Sequence, residues 1–113
     1  MTRRGQMLEF QRDEGGHRYR ALLEGEEVGF VEVDAISTDR MLIKHTEVLP
    51  AFEGRGFGGA LIVHVLEDAR RLGRGVIPIC PYASAYIKRH PEYMEYVTES
   101  YRAVLGQRSS PLG

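Results

Sequence analysis

The segment Glu53-Gly54-Arg55-Gly56-Phe57-Gly58-Gly59 places four glycines in seven residues, directly ahead of a long stretch of helical periodicity. From Gly56 to Leu72 the apolar residues fall at Phe57, Leu61, Ile62, Val65, Leu66, Ala69 and Leu72, one stripe of a helix that packs on a sheet. Arg70 and Arg71 in the last turn and Gly73 behind it are C-terminal signals. Glycines let the backbone turn sharply and approach a ligand closely. The helix start that follows offers unpaired N–H groups and the positive end of a dipole. Together these form a site for a phosphate or pyrophosphate. The same glycines also fit a tight turn with no ligand, so the loop alone does not decide function.

What precedes the loop reads as strands. Met7–Gln11, His17–Leu23, Val28–Ile36 and Met41–Leu49 are separated by turn signals at 13–16, 24–27 and 37–40, the pattern of an antiparallel meander. After the helix, Val76–Ile79 is a short apolar run between Gly75 and Pro81, the pattern of a buried fifth strand. Pro81 then opens a second helix to about Arg89, which His90-Pro91 ends; Pro91–Val97 restarts a turn of helix. Beyond Thr98 the periodicity fades, and Ser109–Gly113 reads as a frayed end. The expected architecture is α/β in the α+β sense: a mixed, mostly antiparallel sheet of about five strands with two main helices. The 113 residues make a single domain, 1–113, with a core at about 7–97 and a tail at 98–113.

Composition narrows the classes. A net charge of −1 disfavours a general nucleic-acid binder. No apolar run reaches 18 residues and no leader pattern opens the chain, so no membrane partner is expected and a cytoplasmic setting is the default. Cys80 is the single cysteine, so no internal disulfide forms; with four histidines it shows no metal-ligand spacing, and no metal is expected.

Two nucleotide motifs are excluded. A Walker loop needs a Gly-Lys pair, which is absent. Gly54, Gly56 and Gly59 match GxGxxG literally, but the next strand, Val76–Ile79, ends in Cys80 rather than in a ribose-binding carboxylate, and the preceding strands are not a βαβ unit.

The run Val48-Leu49-Pro50, then Glu53-Gly54-Arg55-Gly56-Phe57-Gly58-Gly59 and Leu61, resembles the acetyl-CoA loop of the GNAT (Gcn5-related N-acetyltransferase) superfamily. That pattern is Gln/Arg-x-x-Gly-x-Gly/Ala; Glu53, Gly56 and Gly58 occupy it, with Glu53 departing from Gln or Arg. Together with His45-Thr46-Glu47-Val48, Cys80-Pro81-Tyr82 and Tyr86-Ile87 through His90-Pro91-Glu92-Tyr93, residues 8–97 resemble the minimal GNAT-like subfamily, short single-domain proteins that bind CoA. The resemblance implies acetyl-CoA or CoA as cofactor, and a sheet splayed after its fourth strand. The pantetheine arm would enter that splay and bond to backbone near Glu47, Val48 and Leu49. The loop Gly54, Arg55, Gly56, Phe57, Gly58 and Gly59 would seat the pyrophosphate; from residue type alone, Tyr86 by packing and Arg89 by charge are further candidate cofactor contacts. Larger members place helices between their first two strands, where only Gln11–Gly16 stands here. The acceptor site is therefore expected to be open and shallow, suited to an exposed amine on a small molecule or a protein.

Three residues are candidates for chemistry. Cys80 precedes Pro81 and so falls at a helix N-cap, where the dipole favours a nucleophilic thiolate. The resemblance adds that relatives carry a proposed nucleophile here, through which acetyl passes on its way to the acceptor. A small buried core cysteine is the competing reading. His45 and Glu47 alternate onto one side of the fourth strand and can take a proton from an ammonium. Tyr82, Tyr86 and Tyr93 can protonate a leaving thiolate, although tyrosines at helical spacing more often pack. Lys88, Arg89 and His90 form a short basic cluster that fits CoA phosphates or a solvated face. The function expected is acetyl transfer from CoA to an amine by a monomer or homodimer, perforce weighed against a non-catalytic CoA-binding module.

Overall fold

The computed structural model describes residues 8–106. Five strands form one sheet in sequence order: β1 (Leu8–Arg12), β2 (Arg18–Leu23), β3 (Glu26–Ser37), β4 (Arg40–Val48) and β5 (Gly75–Pro78). β1 to β4 are an antiparallel meander, and β5 joins β4 in parallel after the crossover helix α1 (Phe57–Arg71). The turn signals act as read. Glu24 and Gly25, at φ 52° and 84°, form the two-residue turn between β2 and β3, whose left-handed backbone matches the strand twist. Met7, the start of the expected strand Met7–Gln11, and the end at Ser109–Gly113 lie outside the described residues, and β1 extends to Arg12.

Tyr19, Ala21, Val31, Val33, Met41, Ile43 and Val76 are buried on one face of the sheet. The α1 stripe of Leu61, Ile62, Val65, Leu66 and Ala69 seals it, and α2 (Pro81–Arg89) adds Ala83 and Ile87. Every methylene withdrawn from water there contributes about 0.8 kcal/mol. Tyr19 is wholly buried, and its hydroxyl donates to Asp68 of α1 at 2.5 Å. The opposite face carries Arg18, Arg20, Phe30, Glu32 and Asp34, all partly exposed, with Arg18 paired to Glu32 at 3.0 Å and stacked 4.1 Å over Phe30.

The chain past α2 is more ordered than its weak periodicity suggests. A 3-10 turn spans Pro91–Tyr96, Val97 bridges in parallel to Val76, and a short helix α3 covers Glu99–Arg102. Val97, at the end of the expected core, is buried, and so is Leu105 within the expected tail at 98–113.

Candidate functional site

The site arises because β4 is longer than its neighbour. β5 pairs with β4 only from Arg40↔Gly75 to Ile43↔Pro78. Pro78 has no N–H to extend the ladder. The next two amides, Ile79 and Cys80, both turn to the same carbonyl, Ile43, at 3.1 Å each, and Pro81 starts α2. β4 runs on alone to Val48 on that side. This is the splay that the resemblance implied.

The free edge can be assigned residue by residue. Leu49 donates its N–H to Val28 at 2.9 Å. Antiparallel residues alternate between bonding the partner and facing away. Glu47 therefore bonds towards β3 like Leu49, whereas Val48 and Thr46 turn their N–H and C=O groups to the open edge. The sequence motif points to Glu47, Val48 and Leu49; Thr46 emerges only from the register Val31↔Thr46 and Gly29↔Val48.

Past the splay, Pro50–Phe52 makes a 3-10 turn and the glycine loop leads into α1. Gly54 and Gly56 have φ of 81° and 83°, and a Cβ at either would meet open space. Backbone conformation, not crowding, is what requires glycine at these two positions. Gly56 is the N-cap, with no side-chain cap, and the first turn has no acidic residue. Ala60 makes the first helical bond, to Gly56 at 3.1 Å, which leaves the N–H groups of Phe57, Gly58 and Gly59 without helical partners. Gly58 and Gly59 have a second task. A Cβ on Gly58 would overlap the Tyr82 hydroxyl, and one on Gly59 would lie 2.7 Å from Tyr86 Cε1. These glycines let α2 lay its tyrosines against the first turn of α1.

Between loop and free edge lies a cleft of about 480 Å³. Thr46, Glu47 and Val48 form one wall, Phe52, Glu53, Gly54, Gly56, Phe57 and Gly58 the other, and Tyr82 its rim. The unpaired amides, the free strand edge and the apolar rings of Phe52 and Phe57 fit an elongated ligand with an anionic head and an amide-bearing arm. Arg55 holds its guanidinium 5.0 Å from the Phe57 ring centre, a cation on the loop that, like Gly59, is not among the residues lining the cleft.

The candidates for chemistry are divided between the two faces of the sheet. Glu32↔His45 and Phe30↔Glu47 are opposite pairs, so His45 and Glu47 share the exposed face with Phe30. His45 Nε2 and Glu47 Oε1 are 3.2 Å apart. Cys80 lies on the helix side, 2% exposed, where its thiol donates to Thr46 Oγ1 at 3.4 Å. It does not line the cleft, and Thr46 stands between. Tyr86 also lies outside the cleft, its ring tilted against those of His90 and Tyr93 at centroid distances of 4.3 Å and 6.2 Å. Leu49, Arg89 and Lys88 do not line it either; the last two are exposed at the end of α2.

A family model described as GCN5-related N-acetyl-transferase matches residues 18–97, from β2 to the end of the Pro91–Tyr96 turn. The chain belongs to the GCN5-related N-acetyltransferase family. Solved structures share the fold. A GCN5-like protein from Staphylococcus aureus is 22% identical, with 80% of this chain matched to 88% of that one at a TM-score of 0.63. Rv2747 from Mycobacterium tuberculosis, solved with CoA and NLQ, is 23% identical over 80% of this chain and 63% of its own, at 0.57. Ard1 from Thermoplasma volcanium is 23% identical over 57% of this chain, at 0.52. The chain spans less than half of that protein, 45% of its length. No curated protein matches the chain. Within this GNAT chain, the cleft between β4 and the α1 loop brings the free strand edge and the glycine loop together.

Proposed function

We propose that this GNAT domain transfers the acetyl group of acetyl-CoA to an exposed amine presented on the uncovered face of its sheet. The observation that carries this reading is the cleft itself: a strand edge freed by Pro78, ending at three unpaired amides. Acetyl-CoA supplies an acetyl group already activated as a thioester. The amides of Phe57, Gly58 and Gly59, aided by Arg55, hold the pyrophosphate; this is a helix N-terminal anion site. The edge groups of Thr46 and Val48 bond the amides of the arm, as an added strand would. The arm then runs along β4 towards the fork at Ile43.

His45 and Glu47 stand on the far face, where the acceptor arrives. Their pairing, Nε2 to Oε1 at 3.2 Å, suits removal of a proton from an incoming ammonium. Direct attack by the amine is the route we favour over passage through Cys80. A buried thiol behind Thr46, on the helix face, has neither the exposure nor the adjacent base that covalent catalysis uses. The uncovered face suits an amine at the end of a flexible chain, such as a protein side chain, better than a molecule that needs enclosure.

Two assays on the same preparation test this. CoA at about 100 times its Kd should raise unfolding stability by about 2.7 kcal/mol. CoA release from acetyl-CoA should depend on added lysine-containing peptide, and should survive Cys80→Ala. Binding without acceptor-dependent release would instead identify a CoA-binding module. Loss of transfer with intact folding in Cys80→Ala would restore the covalent route.

A further inference from the structure

Lysine is scarce in this chain: Lys44 and Lys88 stand against thirteen arginines. One of the two occupies a singular place. In the β3–β4 ladder Glu32 faces His45 and Val33 faces Ile43, so Lys44 is the extra residue of a bulge. Ile43, just before it, accepts the last two amides from the β5 side. Lys44 is therefore the first residue of β4 beyond the fork, next to His45. Its side chain is 44% exposed, and its Nζ lies 3.1 Å from Asp34, which also takes His17 Nδ1 at 3.1 Å. Asp34 and His45 both belong to the uncovered face. Neither lysine lines the cleft itself: Lys44 lies in the neighbouring hollow with Asp34 and His17, on the strand that the cleft follows, whereas Lys88 is on the last turn of α2.

We propose that the ε-amine of Lys44 is itself an acceptor, acetylated in cis by the chain that carries it. The inference rests on the acetyl-transfer reading above and adds a modification site to it. The amine is tethered to the strand along which the thioester lies, so no encounter with a second molecule is needed; such tethering raises effective concentration strongly. In the step, the Lys44 ammonium gives a proton to His45 or to water. The neutral nitrogen then forms the N–C bond to the acetyl carbonyl while the C–S bond breaks, and the departing sulfur leaves as CoA thiol. Overall, an ammonium and acetyl-CoA yield an acetamide, CoA and one released proton. The product lacks a charge, so Asp34 retains His17 alone and the formal net charge moves from −1 to −2.

The test is incubation of the purified chain with acetyl-CoA alone, followed by intact mass and peptide mapping. The expected result is one added acetyl group, at Lys44, at a rate per chain independent of chain concentration. Lys44→Arg should abolish it. Equal labelling of Lys88, labelling confined to the α-amino group, or the same Lys44 rate in heat-denatured chain would overturn the proposal as mere chemical acetylation. No label at Lys44 while a lysine-containing peptide is acetylated would overturn it and leave the acetyl-transfer reading standing. No label and no peptide acetylation would overturn both.

Discussion

Gly56 and Gly59 are both glycines of one loop, yet they answer to different constraints. Gly56→Ala puts a Cβ in open space but in a left-handed backbone, at a cost of about 1 to 2 kcal/mol in unfolding by denaturant. The same change disturbs the cap from which the anion-binding amides project, so CoA affinity should fall with it. Gly59→Ala instead pushes on Tyr86, held between His90 and Tyr93, and should destabilise by about 1 to 3 kcal/mol through overpacking. On the far face, Glu47→Gln keeps the shape of the side chain but leaves His45 without its carboxylate. It should lower kcat about 100-fold or more with little change in the KM for acetyl-CoA, as loss of general-base help does. Equal kcat values would remove this pair from the chemistry. Deeper in the molecule, Asp68→Ala deprives the wholly buried Tyr19 hydroxyl of its acceptor. A loss of about 1 to 3 kcal/mol is expected, read from the denaturation midpoint.

At the scale of elements, much was legible in the sequence because each signal was local. The α1 stripe, its C-terminal Arg70-Arg71-Gly73, and the start of α2 at Pro81 follow from short-range chemistry, and each element stands where those residues put it. The site was legible less evenly. The loop showed itself through its glycines, but Thr46 did not, because facing the free edge depends on β3–β4 register across a bulge. Register is a long-range property, and a shift of one residue exchanges the faces. The same holds for Cys80 and His45, two separate candidates for chemistry: nothing in their spacing reveals that the sheet lies between them. Likewise Gly58 and Gly59 read as ligand glycines alone until α2 folds back and places Tyr82 and Tyr86 on them. Val97 joins the core by a single bridge to Val76, which no periodicity announces.

For the whole molecule, the two faces of one sheet divide the labour between stability and chemistry. The helix face holds the core, and its pH response should come from His64 and Asp68 of α1. Burial holds His64 below its ordinary value of 6.5, beside Phe10. The unfolded chain then takes up that proton first, so this contribution is complete above 6.5 and is lost as pH falls through the lower folded value. Burial works to raise Asp68, but the Tyr19 hydrogen bond and Arg71 outweigh it and hold it below 3.8. Its contribution survives to more acid pH and is lost only below that figure. Tm measured from pH 7 downwards should fall in two stages, and His64→Phe should flatten the first alone. The opposite face bears His45, Glu47, Lys44 and Phe30 without a covering helix among the described residues, and it is the face on which we propose that an amine approaches.

The central claim is that acetyl-CoA lies between the free edge of β4 and the first turn of α1. Titrating acetyl-CoA into the isotope-labelled chain, with backbone amide shifts followed by NMR, tests it most directly. The account predicts saturable shifts at Phe57, Gly58 and Gly59 together with Thr46 and Val48, and little change at Arg74 or Val97 on the far side of the domain. Amides of the loop and of β4 that stay put at saturating acetyl-CoA would contradict it.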